Sequence, residues 1–321
     1  MIGEAEEIRS LAQSASLTRV TPARSCLPGG RQPVVICVLR NEMPRLPYFL
    51  VHYRRLRAAH FLFIDNGSTD GSREFLASQP DVDLLETHEP FNARVKHGWI
   101  TRLIEDYGDR WYLLADADEH AVFDGAADLP SLAGVAERVG RRRVRAGLLD
   151  MYSHKPLAVD HRRRDQSMIQ AYPYFDPDGY CEARDPRLTS RTGGPRRRAL
   201  ASIAPSFEPQ LTKYPLFRLT PDETIVSPHY IDPPMAGDDP CWIALLHFKF
   251  DGDAVAHISD AITRGQYWRE SYEYRIYDEA MRSTPGFNFM FSRSTRYKGP
   301  ADLVHLGIIE KVSPIEPVSL G

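Results

Sequence analysis

Apolar residues fall along this chain in short blocks of strand length, separated by stretches with helical spacing. Val34-Val35-Ile36-Cys37-Val38-Leu39 is a continuous apolar run, the pattern of a strand buried on both faces. Pro44 and Pro47 then punctuate the start of a segment in which Leu46, Phe49, Tyr53 and Leu56 recur at three-to-four spacing, which predicts an amphipathic helix. Phe61-Leu62-Phe63-Ile64 predicts a second buried strand, followed after Asp65-Asn66-Gly67-Ser68 by a short helix carrying Phe75 and Leu76. Val82 to Leu85 reads as a third strand, Val95, Trp99, Leu103 and Tyr107 as one face of a further helix, and Trp111 to Ala115 as a fourth strand. Alternation of this kind predicts an α/β fold of Rossmann type, a mostly parallel sheet with helices on both faces.

Further along, Arg145 to Leu149, Pro215 to Leu219 and Ile243 to Phe250 read as later strands, and residues 253–281 as helical, with Ile262, Trp268, Tyr272 and Ile276 as anchors. Residues 172–198 are rich in Pro, Gly and charge and are expected to form a long functional loop. The tail is irregular apart from a short helix near 301–306. Three segments result: a flexible extension over 1–31, a domain over 32–250, and a helical extension over 251–321 packed on that domain.

Composition narrows the function classes. The 321 residues carry a formal net charge of -3, which argues against nucleic acid as a partner, since phosphate backbones select basic surfaces. Cysteines at 26, 37, 181 and 241 form no CxxC pair, so reduced thiols in the cytoplasm are expected. No apolar run reaches the ~18 residues of a membrane span. The expected location is therefore cytoplasmic, with peripheral attachment to the inner face of the membrane as the alternative.

The candidate chemistry gathers where strands end, because ligands of open α/β sheets bind outside the carboxyl ends of the strands. The first strand runs into Arg40-Asn41-Glu42, the second into Asp65-Asn66, the third into Glu86-Thr87-His88 and the fourth into Asp116-Ala117-Asp118-Glu119-His120. Two carboxylates one residue apart on an extended turn can face one cation, and hard oxygen ligands suit Mg2+ or Mn2+. Such an ion can bridge a diphosphate and stabilise it as a leaving group. Alone, the Asp116/Asp118 pair is a common surface tripeptide; its place after a buried strand gives it weight. Asp65, first out of the sheet, is free to accept from a nucleobase N–H, while Asn66-Gly67 and Asp70 or Ser72 make the turn and helix cap. Asn92, Arg94 and Lys96 suit either ribose and diphosphate contacts or an ordinary helix start. Arg197, within Arg196-Arg197-Arg198, suits either a phosphate clamp or a charged loop. A general base for acceptor activation is not singled out: Asp150, at a strand end, and Glu182 and Asp185, in the expected loop, are the alternatives.

Taken together, the runs 38–42, 64–72 (IDNGSTDGS) and 113–120 (LLADADEH) resemble glycosyltransferase family 2, and more closely its subgroup related to glycosyltransferase family 92. Lys213-Tyr214-Pro215-Leu216, Ser227-Pro228-His229 and His247-Phe248-Lys249-Phe250 extend the resemblance more thinly toward the C-terminus. The resemblance implies a GT-A fold, a nucleotide-sugar donor (a UDP-sugar favoured), a glycan or glycolipid acceptor, and inversion at the anomeric carbon. It also implies that Asp65 reads the base, that Arg40, Asn41 and Glu42 line the nucleoside pocket with Lys213 nearby, and that Asp116, Asp118 and His247 hold Mn2+ or Mg2+. The competing readings are a nucleotidyltransferase, disfavoured because residues 40–44 contain no glycine, and a non-catalytic sugar-nucleotide-binding or glycan-assembly protein.

Overall fold

The structure, a computed structural model, describes residues 2–22, 31–159, 166–185, 188–234 and 239–313. Along the chain the elements are α1 (Ile2–Ser14), β1 (Thr18–Arg19), β2 (Val34–Leu39), α2 (Leu46–Arg55), β3 (His60–Asp65), α3 (Ser72–Ala77), β4 (Val82–Glu86), α4 (Ala93–Tyr107), β5 (Tyr112–Leu114), β6 (Glu119–Val122), α5 (Leu129–Arg138) and β7 (Arg143–Asp150). They continue with α6 (Met168–Ala171), β8 (Tyr174–Phe175), β9 (Tyr180–Asp185), β10 (Leu188–Gly193), α7 (Gly194–Leu200), β11 (Thr212–Phe217), β12 (Thr224–Ser227), β13 (Tyr230–Asp232), β14 (Cys241–His247), α8 (Ala254–Arg264), α9 (Trp268–Ser283), β15 (Thr295–Arg296) and α10 (Pro300–His305).

The main sheet has nine strands in the order β1-β4-β3-β2-β5-β11-β7-β14-β6. Strands β2, β3, β4, β5, β7 and β14 run one way, while β1, β11 and β6 run against them. This is the mixed α/β, Rossmann-like sheet that the apolar blocks predict. The chain steps outward from β2 to β3 and β4, then returns to the other side of β2 for β5. That reversal leaves a crevice at the carboxyl ends of β2 and β5, where such sheets bind ligands.

Alternation within β2 shows how both faces are covered. Val35, Cys37 and Leu39 join the core beneath α2 and α5, with Phe49, Tyr53 and Leu132. Val34, Ile36 and Val38 join the core beneath α4, with Trp99, Ile100 and Leu103. The C-terminal helices share a third core with the domain, through Tyr152, Leu200, Phe250, Ile258 and Tyr277.

Two segments differ from expectation. Within the 172–198 stretch, β9 and β10 pair as a hairpin with Glu182 opposite Arg191, and α7 follows directly. Charge hid this hairpin: Glu182 accepts from Arg145 at 3.0 Å and Arg191 at 3.1 Å, so residues that read as loop are cross-strand ion pairs. Residues 186–187 of that stretch lie outside the described set, as do 23–30 of the expected flexible extension. The rest of that extension is built into the fold: α1 buries Ala5, Ile8 and Ala12 against α4, and β1 pairs with β4. Its apolar stripe is mostly alanine, too weak to stand out along the sequence.

The α1–α4 contact depends on Gly98. A Cβ there would meet Leu11 Cβ at 2.7 Å and the Leu11 carbonyl carbon at 3.1 Å. Gly98→Ala gains helix propensity but forces α1 away; we expect a net loss of about 1–2 kcal/mol. The expected readouts are a lower melting temperature and faster proteolysis within residues 2–22. An unchanged proteolytic pattern would show that α1 does not depend on this close approach.

Candidate functional site

The register of three strands assembles the site. Across the sheet His247 on β14 stands beside Asp150 on β7 and beside Glu119 on β6. The amide of Phe248 donates to the Asp118 carbonyl at 2.8 Å, which locks the Asp116–Asp118 turn to the end of β14. Residues separated by more than a hundred positions in sequence thus share one strand-end layer.

Asp150 is fully buried, and both its oxygens are engaged. Oδ1 pairs with His247 Nδ1 at 2.7 Å and Oδ2 accepts from Arg196 Nε at 2.8 Å. On its other side His247 Nε2 faces Asp118 Oδ2 at 3.4 Å. Burial disfavours the charged imidazole, yet Asp118 and Asp150 outweigh it and push His247 up to about 9. Burial likewise opposes ionisation of Asp118 and Asp150, but His247 on the former and Arg196 and His247 on the latter hold both below the usual carboxylate range.

Among the described residues Asp118, Glu119 and His247 can each offer one ligand atom, all within 4.8 Å of one another. Two carboxylates and an imidazole suit a divalent ion such as Mn2+ or Mg2+. The group behind the imidazole fits as well, because a ligating imidazole is held through its other nitrogen by a carboxylate, as Asp150 holds Nδ1 here. Glu119 is the most committed of the three: Oε1 accepts from Lys213 and Oε2 from the Asp116 amide at 3.2 Å.

Asp116 is placed differently from Asp118. Its two oxygens accept from Lys96 at 2.6 Å and Lys213 at 3.0 Å. Burial works against its charge, but the ammonium groups of Lys213 and Lys96 outweigh burial and hold it well below the usual range. The expected metal pair is therefore split: Asp118 joins His247, while Asp116 is the counter-ion of two lysines.

These residues border a cleft of about 490 Å³. One wall carries Arg40, Asn41 and Glu42 after β2, Asn66 and Asp70 after β3, and Lys96, Asp116 and Asp118; the other carries His247, Lys249, Asp253, His257, Tyr267 and Tyr274. Arg45 spans the two, donating to both oxygens of Asp251 at 2.7 Å and to Glu42 at 2.6 Å. Burial raises Glu42 to about 7 even against the pull of Arg45. Asn41 holds the Asp65–Ser72 turn: its side chain accepts from the Thr69 amide at 2.8 Å and its own amide donates to Ser68 Oγ at 2.9 Å. Asp65 is buried, with Oδ1 taken by the Ser68 amide at 2.7 Å and Oδ2 left without a partner.

The other expected site residues lie elsewhere. Asn92 caps α4, accepting from the Arg94 and Val95 amides at 3.0 Å. Arg94 pairs with Glu7 on α1, and Arg197 with Glu208 at 2.6 Å. The placement of the three candidate bases does not suit proton transfer: Asp150 is sealed between His247 and Arg196, Glu182 is held by Arg145 and Arg191, and neither they nor Asp185 line the cleft. Sequence reasoning missed Lys249 and Asp253 as site residues; Lys249 lies within the His247-Phe248-Lys249-Phe250 run and Asp253 three residues past it, where a polar strand end again carries the signal.

No family model matches this chain, and no curated protein does. Among solved structures it is similar to the mannosyltransferase PcManGT from Pyrobaculum calidifontis in complex with GDP-Man and Mn2+, at 19% identity and a TM-score of 0.27, over 51% of this chain and 45% of that one. It is also similar to the inositol-1-phosphate CTP transferase from T. maritima, at 12% identity and a TM-score of 0.26, over 88% of this chain and 97% of that one. This chain thus spans less than half the length of the mannosyltransferase. Likenesses this loose say nothing of the chemistry, which rests on the residues themselves.

Buried imidazoles back the site. His52 stacks on His120 with ring centroids 4.5 Å apart, His97 lies with Lys96 and Lys213 around a small cavity, and His229 Nδ1 pairs with the carbonyl of Thr212, next to Lys213, at 2.6 Å. Burial lowers His52, His97 and His229 to about 4, below the ~6.5 of a free imidazole. Between those values the unfolded chain binds protons at these positions and the folded chain does not, so each contributes stability that is lost as pH falls. Glu42, raised to about 7, acts in the opposite sense. His229→Gln, which keeps a donor for the Thr212 carbonyl, isolates one imidazole. Its urea midpoint is expected to improve relative to the parent as pH drops from 6.5 to 4.5. A constant difference across that window would mean that His229 is not held neutral.

Proposed function

We propose that this chain is a metal-dependent glycosyltransferase of the GT-A type, related to glycosyltransferase family 2 and the subgroup near family 92. It moves a sugar from a nucleoside-diphosphate donor, a UDP-sugar favoured, to a glycan or glycolipid acceptor with inversion at the anomeric carbon. The observation that carries this reading is the meeting of Asp118 and His247 at the switch point of the sheet, beside a cleft whose near wall carries Arg40, Asn41 and Glu42 together with Asn66 and Asp70.

The division of labour follows from the two walls. The β2 and β3 ends take the nucleoside: Arg40, Asn41 and Glu42 line it, and the unpartnered Oδ2 of Asp65, buried next to the cleft-lining Asn66 and itself outside the lining, is assigned as the acceptor for a base N–H. An unsatisfied buried carboxylate oxygen costs stability, so a ligand donor at that point is worth more than one at the surface. Asp118 and His247, with Glu119 behind them, would hold Mn2+ or Mg2+. Bound there, the ion would neutralise charge on the departing diphosphate. Lys96 and Lys213 fix Asp116 at the same strand end, and Asp150 keeps His247 Nε2 turned toward Asp118. No helix of the described residues is long and apolar enough to cross a membrane. Should the acceptor be a glycolipid, the reading places the encounter at the membrane surface, with this protein bound peripherally on the cytoplasmic side.

The deciding experiment is release of the leaving nucleotide from a panel of sugar nucleotides, with and without Mn2+: the nucleoside diphosphate from UDP-, GDP- and TDP-sugars, and CMP from CMP-sugars. Turnover that needs the ion, and falls at least about 100-fold in Asp118→Ala, is the expected outcome. Unchanged turnover in Asp118→Ala would remove the metal role. Pyrophosphate release from a nucleoside triphosphate and a sugar phosphate would replace the whole reading with nucleotidyl transfer.

The orphaned oxygen of Asp65 gives a second test. Asp65→Asn keeps an acceptor for the Ser68 amide but converts one oxygen to a donor. Nucleoside-diphosphate affinity is expected to drop about tenfold, roughly 1.4 kcal/mol, in calorimetry. Equal affinity in the two proteins would place the base elsewhere.

A further inference from the structure

We infer that the α8–α9 wall of the cleft is the acceptor subsite, that it takes a neutral pyranose against Tyr267, and that Asp253 is the base that removes the acceptor proton. The inference rests on the glycosyltransferase reading and supplies the general base which that reading lacks.

The case for Asp253 is by elimination among the acids that line the cleft. Glu42 is tied to Arg45 at 2.6 Å, and Asp70 accepts from the Met43 amide at 2.9 Å and the Ser72 amide at 3.0 Å. Asp116 is held by two lysines and Asp118 faces His247. Asp260 pairs with Arg264 at 3.5 Å. Among the described residues, Asp253 is the cleft-lining acid whose carboxylate has neither a hydrogen bond nor an ion pair; its backbone alone is engaged, the amide donating to Asp251 Oδ1 at 3.2 Å and the carbonyl accepting from the His257 amide at 3.0 Å. It stands at the start of α8, six residues beyond His247, and α8 continues the cleft wall with His257 one turn on. Arg45 lies 3.4 Å from His257 Nε2, and with the arginine donating, that nitrogen has no lone pair left for an acceptor hydroxyl.

The acceptor's chemistry follows from what surrounds Asp253. Tyr267 lines the cleft and, with 43% of its surface exposed, is one of the large aromatic residues the fold leaves open. Its ring packs at 5.0 Å from Tyr274 and 5.5 Å from Phe91, so it is braced from both walls. A braced, open aromatic ring offers the apolar face on which a sugar ring stacks, at little entropic cost. Among the described residues that line this wall, the lysine and arginine are already spent: Lys249 on Glu273 at 3.2 Å and Arg264 on Asp260. A carboxylate or phosphate on the acceptor would find no free positive charge here, so the wall selects a neutral, hydroxyl-bearing ring.

The step balances. The acceptor O–H bond breaks and its proton passes to the Asp253 carboxylate. The acceptor oxygen forms the new bond to the anomeric carbon as the bond from that carbon to the diphosphate oxygen breaks, and that electron pair leaves with the nucleoside diphosphate.

The test compares Asp253→Asn, Tyr267→Ala and Tyr267→Phe with the parent protein, using the best donor from the sugar-nucleotide panel with Mn2+, and methyl hexopyranosides and methyl hexuronates as acceptors. For Asp253→Asn the expected result is a fall in kcat of about 100-fold or more, loss of the acid limb of the kcat/KM profile, and nucleoside-diphosphate affinity within about twofold by calorimetry. For Tyr267→Ala it is a rise of about tenfold in acceptor KM with donor KM unchanged, reversed by Tyr267→Phe. Transfer by Asp253→Asn at more than a third of the parent rate overturns the base assignment. A hexuronate preferred over its neutral counterpart, or an acceptor KM that ignores Tyr267, overturns the subsite. A parent protein that binds these donors but transfers to no acceptor overturns the glycosyltransferase reading, and this inference with it.

Discussion

Burying Asp150 is the constraint around which the strand-end layer is arranged. An ionised carboxylate with no access to water costs several kcal/mol unless its lone pairs are met by charge and hydrogen bonds. Here Arg196 meets one oxygen and His247 the other. Arg196 in turn reaches Glu273 at 2.8 Å, and Glu273 reaches Lys249. Removing any member leaves its neighbour as an uncompensated buried charge, so β7, β14, α7 and α9 are held to one another by electrostatic necessity as well as by packing. That rigidity explains how an imidazole can be aimed at Asp118 with a single orientation: its Nδ1 side is not free to turn.

The same layer divides the cleft by chain origin. The wall after β2 and β3 comes from the first parallel strands, whose loops are short and cross-braced, as in Asn41 against Thr69 and Ser68. The opposite wall comes from α8 and α9, which follow β14 and belong to the third apolar core. Arg45, with Asp251 on one side and Glu42 on the other, is the strut between them. Preorganised recognition of a rigid nucleotide suits the first wall. The second carries the exposed ring of Tyr267 and the left-handed turn Arg269-Glu270-Ser271, whose φ values of 47°, 56° and 63° are costly for residues with a side chain. Ser271 offsets part of that cost, since its hydroxyl donates to the Ala261 carbonyl at 2.6 Å and ties the turn to α8. If this wall is the acceptor subsite, as proposed, variation of acceptor is easier to accommodate on such a segment than on the sheet ends.

Much of this was legible in the sequence because buried parallel strands announce themselves. The runs 34–39, 61–64, 82–85 and 111–115 each lie in or on a strand of the sheet, and the polar residues that follow the first, second and fourth do border or brace the cleft. What was not legible is interaction between distant segments. Nothing near Asp116 signals that Lys96 and Lys213 will neutralise it, and nothing near Asp150 signals that two cationic side chains will enclose it. Periodicity also failed where charges pair across strands, as in the β9–β10 hairpin, and where the buried stripe is alanine, as in α1. Strand β6 was hidden for a related reason: Glu119 and His120 read as solvent-facing chemistry, yet both are buried, Glu119 against Lys213 and His120 against His52.

The split between Asp116 and Asp118 bears on where charge can move. With Lys96 and Lys213 both engaged, Asp116 adds little net negative charge to the cleft, and Lys213 also offsets Glu119. Asp118 has only His247 as a close ionic partner among the described residues, and that imidazole becomes a neutral ligand once an ion replaces its proton. The pair of carboxylates that looks symmetric in sequence is therefore functionally asymmetric. Asp116 anchors two ammonium groups at the end of β5, where they can remain fixed, while Asp118 is the carboxylate whose charge is left for an ion to use. On the proposed reading, such a layout would keep the positive groups in place before and after a diphosphate arrives, so the site would not have to reorganise as charge develops on it.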